Sequence, residues 1–229
     1  MGDRDMSRQL TSGVLRRKKA DVWLYKGEVW EYEEVTSPHT GRVWMDRNLG
    51  AERVALNADD ALATGDLFQW GRLDDLHQNR DSLVTDTIFE KSDSDAPNNN
   101  GKFIQVGSGQ PQDWRDPQND NLWQPSGLIN VPAPSGWRLP SQSEIQAEAD
   151  NFTQSKTGAF NSFLALASVE LRRPVDGDIS TQNDTFLWTH TTGLTDTTRS
   201  IIFRARNTSI IYQEFSRAWG IPVRLIKEI

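Results

Sequence analysis

Three histidines, His39, His77 and His190, are the only imidazoles in 229 residues, so any imidazole acid–base or metal chemistry must start from them. His39 stands beside a turn, His77 near a loop and His190 at the end of a strand pattern, and no two have the spacing of a metal-binding pair. A histidine metal site is therefore not expected. No Gly-x-Ser-x-Gly elbow supplies a nucleophile for a Ser-His-Asp arrangement, which leaves hydrolysis a poor fit. The chain has no cysteine. That excludes structural disulfides, thiolate metal sites, a cysteine nucleophile and a cysteine lipid anchor. No catalytic residue, metal or cofactor is expected.

Oxygen ligands are more plentiful. Asp93, Asp95 and Asn98 to Asn100 fall in one turn-rich stretch, 93–101, and could face a calcium ion. Pro97 occupies a position where an EF-hand needs a ligand and no Glu closes the loop, so a solvated loop is the better reading. The nine tryptophans are the other chemical resource, either as sugar-stacking platforms or as core. Trp114 and Trp123, inside a long polar stretch, are open to both roles.

The elements that would position these residues follow from pattern. Pro134-Ser-Gly136 marks a turn, and Trp137 and Leu139 then point the same way in a short extended segment. Ser141, with Glu144 three residues on, forms a capping-box signature, and Ile145, Ala149 and Phe152 follow at helical spacing, so a helix is predicted over 141–152. Residues 21–32 hold two β-rich runs around Lys26-Gly27, a hairpin. Residues 42–47 alternate like a half-buried strand. Caps among residues 57–60 predict a second helix through Ala61, Leu62, Leu67 and Phe68 and on toward Trp70, interrupted by Gly65. Residues 71–131 form a long polar loop, residues 159–166 a short helix or turn, and Leu171 opens a strand that Pro174 ends. Four strand patterns close the chain, at 185–190, 200–206, 209–214 and 221–226, at the spacing of an antiparallel meander. The fold class is α+β, with two main helices, an antiparallel sheet and a long loop region.

Charge and hydropathy narrow the class further. Residues 1–20 carry six Lys/Arg against two Asp/Glu, a net +4 that leaves −11 on the remainder of a chain whose total is −7. A polar arm is expected there, and an acidic body argues against nucleic acid as a partner. No run is apolar enough for a signal-peptide core or a bilayer span, so neither membrane insertion nor Sec-type export is expected.

Taken in order, five segments resemble the successive motifs of the Fibrobacter-type major paralogous domain: residues 40–51 (TGRVWMDRNLGA), 65–72 (GDLFQWGR) with 75–78 (DLHQ), 134–140 (PSGWRLP), 187–191 (LWTHT) and 220–227 (GIPVRLIK). The resemblance implies a C-type-lectin-like domain over 35–229, akin to formylglycine-generating enzymes, with paired terminal strands and a loop region that carries ligand contacts. Residues 1–34 would form an arm and hairpin that dock to other proteins. Family members usually carry a cysteine before the Pro-x-Gly-Trp-Arg motif and another after the final Val-Arg. Here those positions are Ala133 and Leu225, so no oxidising compartment is needed. That history suits a tailed-bacteriophage virion protein: a non-enzymatic structural or adhesion module, folded in the host cytoplasm and displayed on the particle. Its partners would be other virion proteins through 1–34, further copies of itself in an oligomer, and a host-surface glycan or protein. A bacterial cell-surface or secreted binding protein is the alternative. Trp44, Trp70, Trp137 and Trp188, inside the motifs, are expected in the core. Arg204, Arg206, Asn207 and Tyr212, in the late β region where relatives vary their ligand surface, join Trp114 and Trp123 as ligand-contact candidates, although ordinary strand positions would look the same.

Overall fold

The computed structural model describes the backbone of residues 17–19 and the residues 23–85, 94–96, 101–107, 112–196 and 198–229. It is a mostly β molecule with two short helices and several small antiparallel sheets. The first sheet is assembled from distant parts of the chain. Its strands are β1 (Arg17–Lys19), β4 (Glu33–Thr36), β5 (Val43–Met45), β6 (Trp137–Arg138) and β12 (Ile226–Lys227), in the spatial order β1-β4-β5-β12-β6. Ile226 pairs with both Trp44 and Arg138, so the end of the chain is inserted between two earlier strands.

Between β1 and β4 lies the hairpin β2 (Trp23–Tyr25) and β3 (Glu28–Trp30). Lys26 and Gly27 both take positive φ, 54° and 80°, as a two-residue turn matched to strand twist requires. The hairpin is not a free appendage. Tyr25 and Tyr32 are buried, and Trp23 and Trp30 pack against the same cluster. The boundary expected at 34/35 falls inside β4, and the last part of the expected polar arm, Arg17–Lys19, is a strand paired to it.

The C-terminal meander is β9 (Thr185–Thr192), β10 (Arg199–Ala205) and β11 (Ile210–Ser216), with β10 in the centre. It separates two apolar layers. Phe186, Trp188 and Ile202 face a cluster with Trp70, Trp114, Trp123 and Leu225. Leu187, Phe203 and Ala205 face the helices α1 (Gln142–Ala149) and α2 (Lys156–Asn161), where Ile145, Ala149 and Ala159 lie. Both faces of β9 and β10 are buried, which is why their sequences read as continuous apolar runs. A short hairpin, β7 (Glu170–Arg172) with β8 (Ile179–Thr181), completes the strands.

Helix α1 carries its predicted capping box: Ser141 Oγ accepts from Glu144 N, and Glu144 accepts from Ser141 N. Two other expectations are corrected. The helix predicted through Trp70 is only a 3₁₀ turn, Ala61–Ala63. Gly65 sits at φ 82° beside Leu49 O, and Phe68 exchanges backbone hydrogen bonds with Ile221 at 3.1 and 2.9 Å instead of with its own turn. Tertiary pairing has overridden a local helical pattern. The fourth strand predicted for the meander, 221–226, leaves it: Ile221 bridges to Phe68 and Ile226 joins the first sheet.

Candidate functional site

The five motif segments are brought together in one interlocked core. Trp70 Nε1 donates to Thr189 O and Trp188 Nε1 to Phe68 O, both at 2.9 Å. Arg224, buried, donates from Nε to Asn48 Oδ1 at 3.0 Å and from Nη1 to Met45 O and Leu164 O. Burial in this carbonyl cage pulls its pKa down to about 10. Trp44, Trp70 and Trp188 are fully buried and Trp137 is 8% exposed, with Lys227 over its ring at 5.6 Å. Leu225 belongs to the same apolar cluster that Ala133 packs against.

The expected ligand contacts do not gather into one surface. Trp114 and Trp123 are fully buried, and their indole N–H groups donate to Trp70 O and Asn130 O, so neither offers a ring face to a sugar. Both anchor the long loop from beneath. Arg204 bonds Asp184 and covers the Phe186 ring at 4.9 Å. Tyr212 pairs with Phe203, one register position away, and so lies on the opposite face of the sheet. Burial pushes its phenol pKa upward. Arg206 and Asn207 are exposed in the turn between β10 and β11.

The histidines are separated. His39 is exposed, and His190 is half-buried with its pKa lowered by burial and by the Arg138 charge. His77 is buried and held at both nitrogens: Nε2 accepts from Gln69 N at 3.1 Å and Nδ1 faces Asp75 Oδ1 at 2.6 Å. Asp75 Oδ2 in turn accepts from Arg72, whose Nη1 donates to Gln69 Oε1. Burial, then the Arg72 charge, lowers the His77 pKa to about 3, so the ring is neutral and serves as a structural acceptor. In the 93–101 stretch, Asp95 accepts from Arg115 Nε at 2.5 Å and from Asn119, and Asp93 and Asn98 to Asn100 lie outside the described residues. Among the described residues no group of three His, Asp or Glu side chains is placed to hold a metal ion, and no helix is long and apolar enough to cross a membrane.

A concave feature the sequence did not reveal lies between the hairpin and the body. This open groove of about 590 Å³ is lined by Lys26 and Trp30 of the hairpin, Gly50, Glu52, Ala61, Leu62, Gly65, Asp66, residues 79–81 and Glu170. Its floor is two stacked turns. Asp66 N donates to Leu49 O at 2.9 Å, and a Cβ at Gly50 would lie 2.3 Å from Asp66 Cγ, so only glycine admits the carboxylate there. Asp66 is buried and already committed: Tyr25 Oη donates to Oδ2 at 2.7 Å and Lys26 Nζ lies 3.0 Å from the same oxygen. Gln78 Nε2 donates to Tyr25 Oη, and burial together with the Asp66 charge pushes the Tyr25 phenol well above its ordinary pKa, keeping it a donor. Lys26 also donates to Asn79 Oδ1, and Arg80 pairs with Glu170. The residues come from five separate stretches of chain.

No protein-family model, curated protein or solved structure matches the chain.

Proposed function

We propose that this chain is a non-enzymatic structural and adhesion module of a tailed-bacteriophage particle, with a C-type-lectin-like domain displayed for host-surface binding or particle decoration. The observation that carries the reading is the interlocking of the five motif segments. Segments up to some 180 residues apart meet through Trp44–Ile226 pairing, the Trp70–Thr189 and Trp188–Phe68 bonds and the Arg224–Asn48 bond, as the resemblance requires of one domain. Apolar packing around Leu225 and Ala133 stands where relatives place a cross-link, which suits assembly in a reducing cytoplasm. His77, Arg72 and Arg224 are buried, bonded to neighbours and occupied in building the scaffold.

The test is particle-based. Antibodies raised against the purified chain should decorate intact virions in electron micrographs, and the purified chain should compete with the phage for adsorption to its host. Particles that carry no label, with infection unaffected by an excess of the chain, would overturn the proposal. Docking is tested by removing residues 1–16 only. Deleting 1–34 would also remove Tyr25 and half of β4, which the core needs.

A further inference from the structure

The groove beside the hairpin has an aromatic wall and an excess of carboxylates over cations. Trp30 lines it as a half-buried aromatic, stacked on Tyr32 with centroids 5.9 Å apart and edge-on to Tyr25 at 6.1 Å, so its ring is held in a fixed orientation. Around it stand Lys26 and Arg80 against Glu52, Asp66, Asp81 and Glu170, two cations against four carboxylates. Lys26 and Arg80 are drawn to Asp66 and Glu170, and Glu52 and Asp81 are exposed at the rim. A net acidic cleft walled by an indole attracts a positive group, through Coulomb attraction to the carboxylates and through the negative face of the ring. It repels phosphate, sulfate and uronate groups by the same fields.

The polar lining argues further about shape. Asn79 and Lys26 offer N–H donors beside the carboxylate acceptors, a mixture suited to a ligand with many hydroxyls; a lysine side chain would bring only a methylene stem. An indole face is also suited to the C–H surface of a pyranose ring.

We propose that this groove binds an amine-bearing saccharide, a hexosamine unit with a free ammonium group within a surface polysaccharide. The ammonium sits by the exposed carboxylates of Glu52 and Asp81 with the sugar ring against Trp30. The inference rests on the adhesion reading above and names the ligand class for it. The preformed floor matters here, because Asp66 is fixed by Tyr25, Lys26 and the Gly50 contact before any ligand arrives.

Titration calorimetry on the full chain tests this with four probes: a deacetylated chito-oligosaccharide, its fully N-acetylated counterpart, an oligogalacturonate and a lysine-rich peptide. The expected order is strongest heat for the amine-bearing sugar, weaker for the neutral sugar and none for the acidic one, with affinity falling as salt is raised from about 50 to about 500 mM. Trp30→Ala should weaken the amine-bearing sugar by about tenfold or more. Glu52→Lys, at an exposed rim position where folding is not at stake, should weaken the amine-bearing sugar and leave the neutral sugar unchanged. The proposal is overturned if no sugar binds, if the acidic sugar binds best, if the lysine peptide binds as tightly as the amine-bearing sugar, or if Glu52→Lys has no effect. Adsorption competition by the chain that persists in the Trp30 and Glu52 variants would sink the groove while sparing the adhesion reading; loss of all competition by the parent chain would sink that reading itself.

Discussion

Glu148 is a carboxylate with no exposed surface on the inner side of α1, and it fastens that helix to the turn between β4 and β5. Oε2 accepts from Ser37 Oγ at 2.6 Å, and Oε1 accepts from Thr40 Oγ1 at 2.5 Å and Trp44 Nε1 at 3.1 Å. Ser37 Oγ also receives the backbone N–H groups of His39 and Thr40, so the carboxylate organises the turn at one remove. Replacing Glu148 by Ala would orphan two well-buried donors, Trp44 Nε1 and the Ser37 hydroxyl, at about 1–3 kcal/mol each. Thr40 is exposed and can turn to water. Release from burying a polar carboxyl group offsets part of the loss, so Glu148→Ala should destabilise by about 2–5 kcal/mol. Glu148→Gln keeps one acceptor and the shape, and should cost about 1–2 kcal/mol. Urea unfolding followed by tryptophan fluorescence measures both as midpoint shifts at constant slope. A Glu148→Ala protein within about 0.5 kcal/mol of the parent would refute the reasoning, because packing alone would then hold the helix.

Four further outcomes are expected. Trp137→Ala should destabilise by about 3–5 kcal/mol, since the ring is 8% exposed and packed in the main cluster, and calorimetric melting would show a near-neutral change if that packing were unimportant. His77 stays neutral when folded, with a pKa of about 3, but takes a proton near pH 6.5 when unfolded; stability is therefore full above pH 6.5 and falls progressively toward pH 3, by at most about 5 kcal/mol, and a stability–pH curve flat over that window would contradict it. Glu144, held at about 2 chiefly by Arg138 and the Ser141 N–H against the opposing pull of burial, adds a second loss as pH falls from about 4.5 to 2, and Glu144→Gln should remove that lower step from the same curve. The pair Ala133→Cys with Leu225→Cys should form an intramolecular disulfide under mild oxidation and raise the melting temperature, the closed loop of about 90 residues setting a ceiling of about 4–5 kcal/mol; failure to cross-link would count against the proposed lectin-like pairing of these segments.

Local signals with a stereochemical mechanism were legible in the chain. The Ser141–Glu144 capping box and the Lys26-Gly27 turn depend on residues within a few positions of one another, the β9 to β11 meander on strands consecutive in the chain, and each forms where the pattern placed it. Long-range competition erased the others. Leu67 to Trp70 carried helical spacing, but Phe68 found Ile221, more than 150 residues away, and a backbone pairing of that span has no local signature. Ile221 to Ile226 looked like one more hairpin strand for the same reason. The groove was invisible because Lys26, Trp30, Asp66 and Glu170 meet only after folding, and the partners that bury Glu148 lie more than 100 residues away in the chain. Trp114 and Trp123 were open to both roles in a polar neighbourhood, and the structure places both rings in the core.

Those two rings bear on how freely this molecule can change. Trp114 and Trp123 plug the 112–131 segment into the body, and Arg217 grips it from below through Asp120 at 2.5 Å while lying 4.1 Å from the Trp70 ring centroid. The path of the segment is thus set by its inward residues, and Asp116, Pro125 and Ser126 face solvent. Substitutions at those outward positions leave the anchors untouched. The segment is a mount whose outer lettering can be rewritten without recasting the plate.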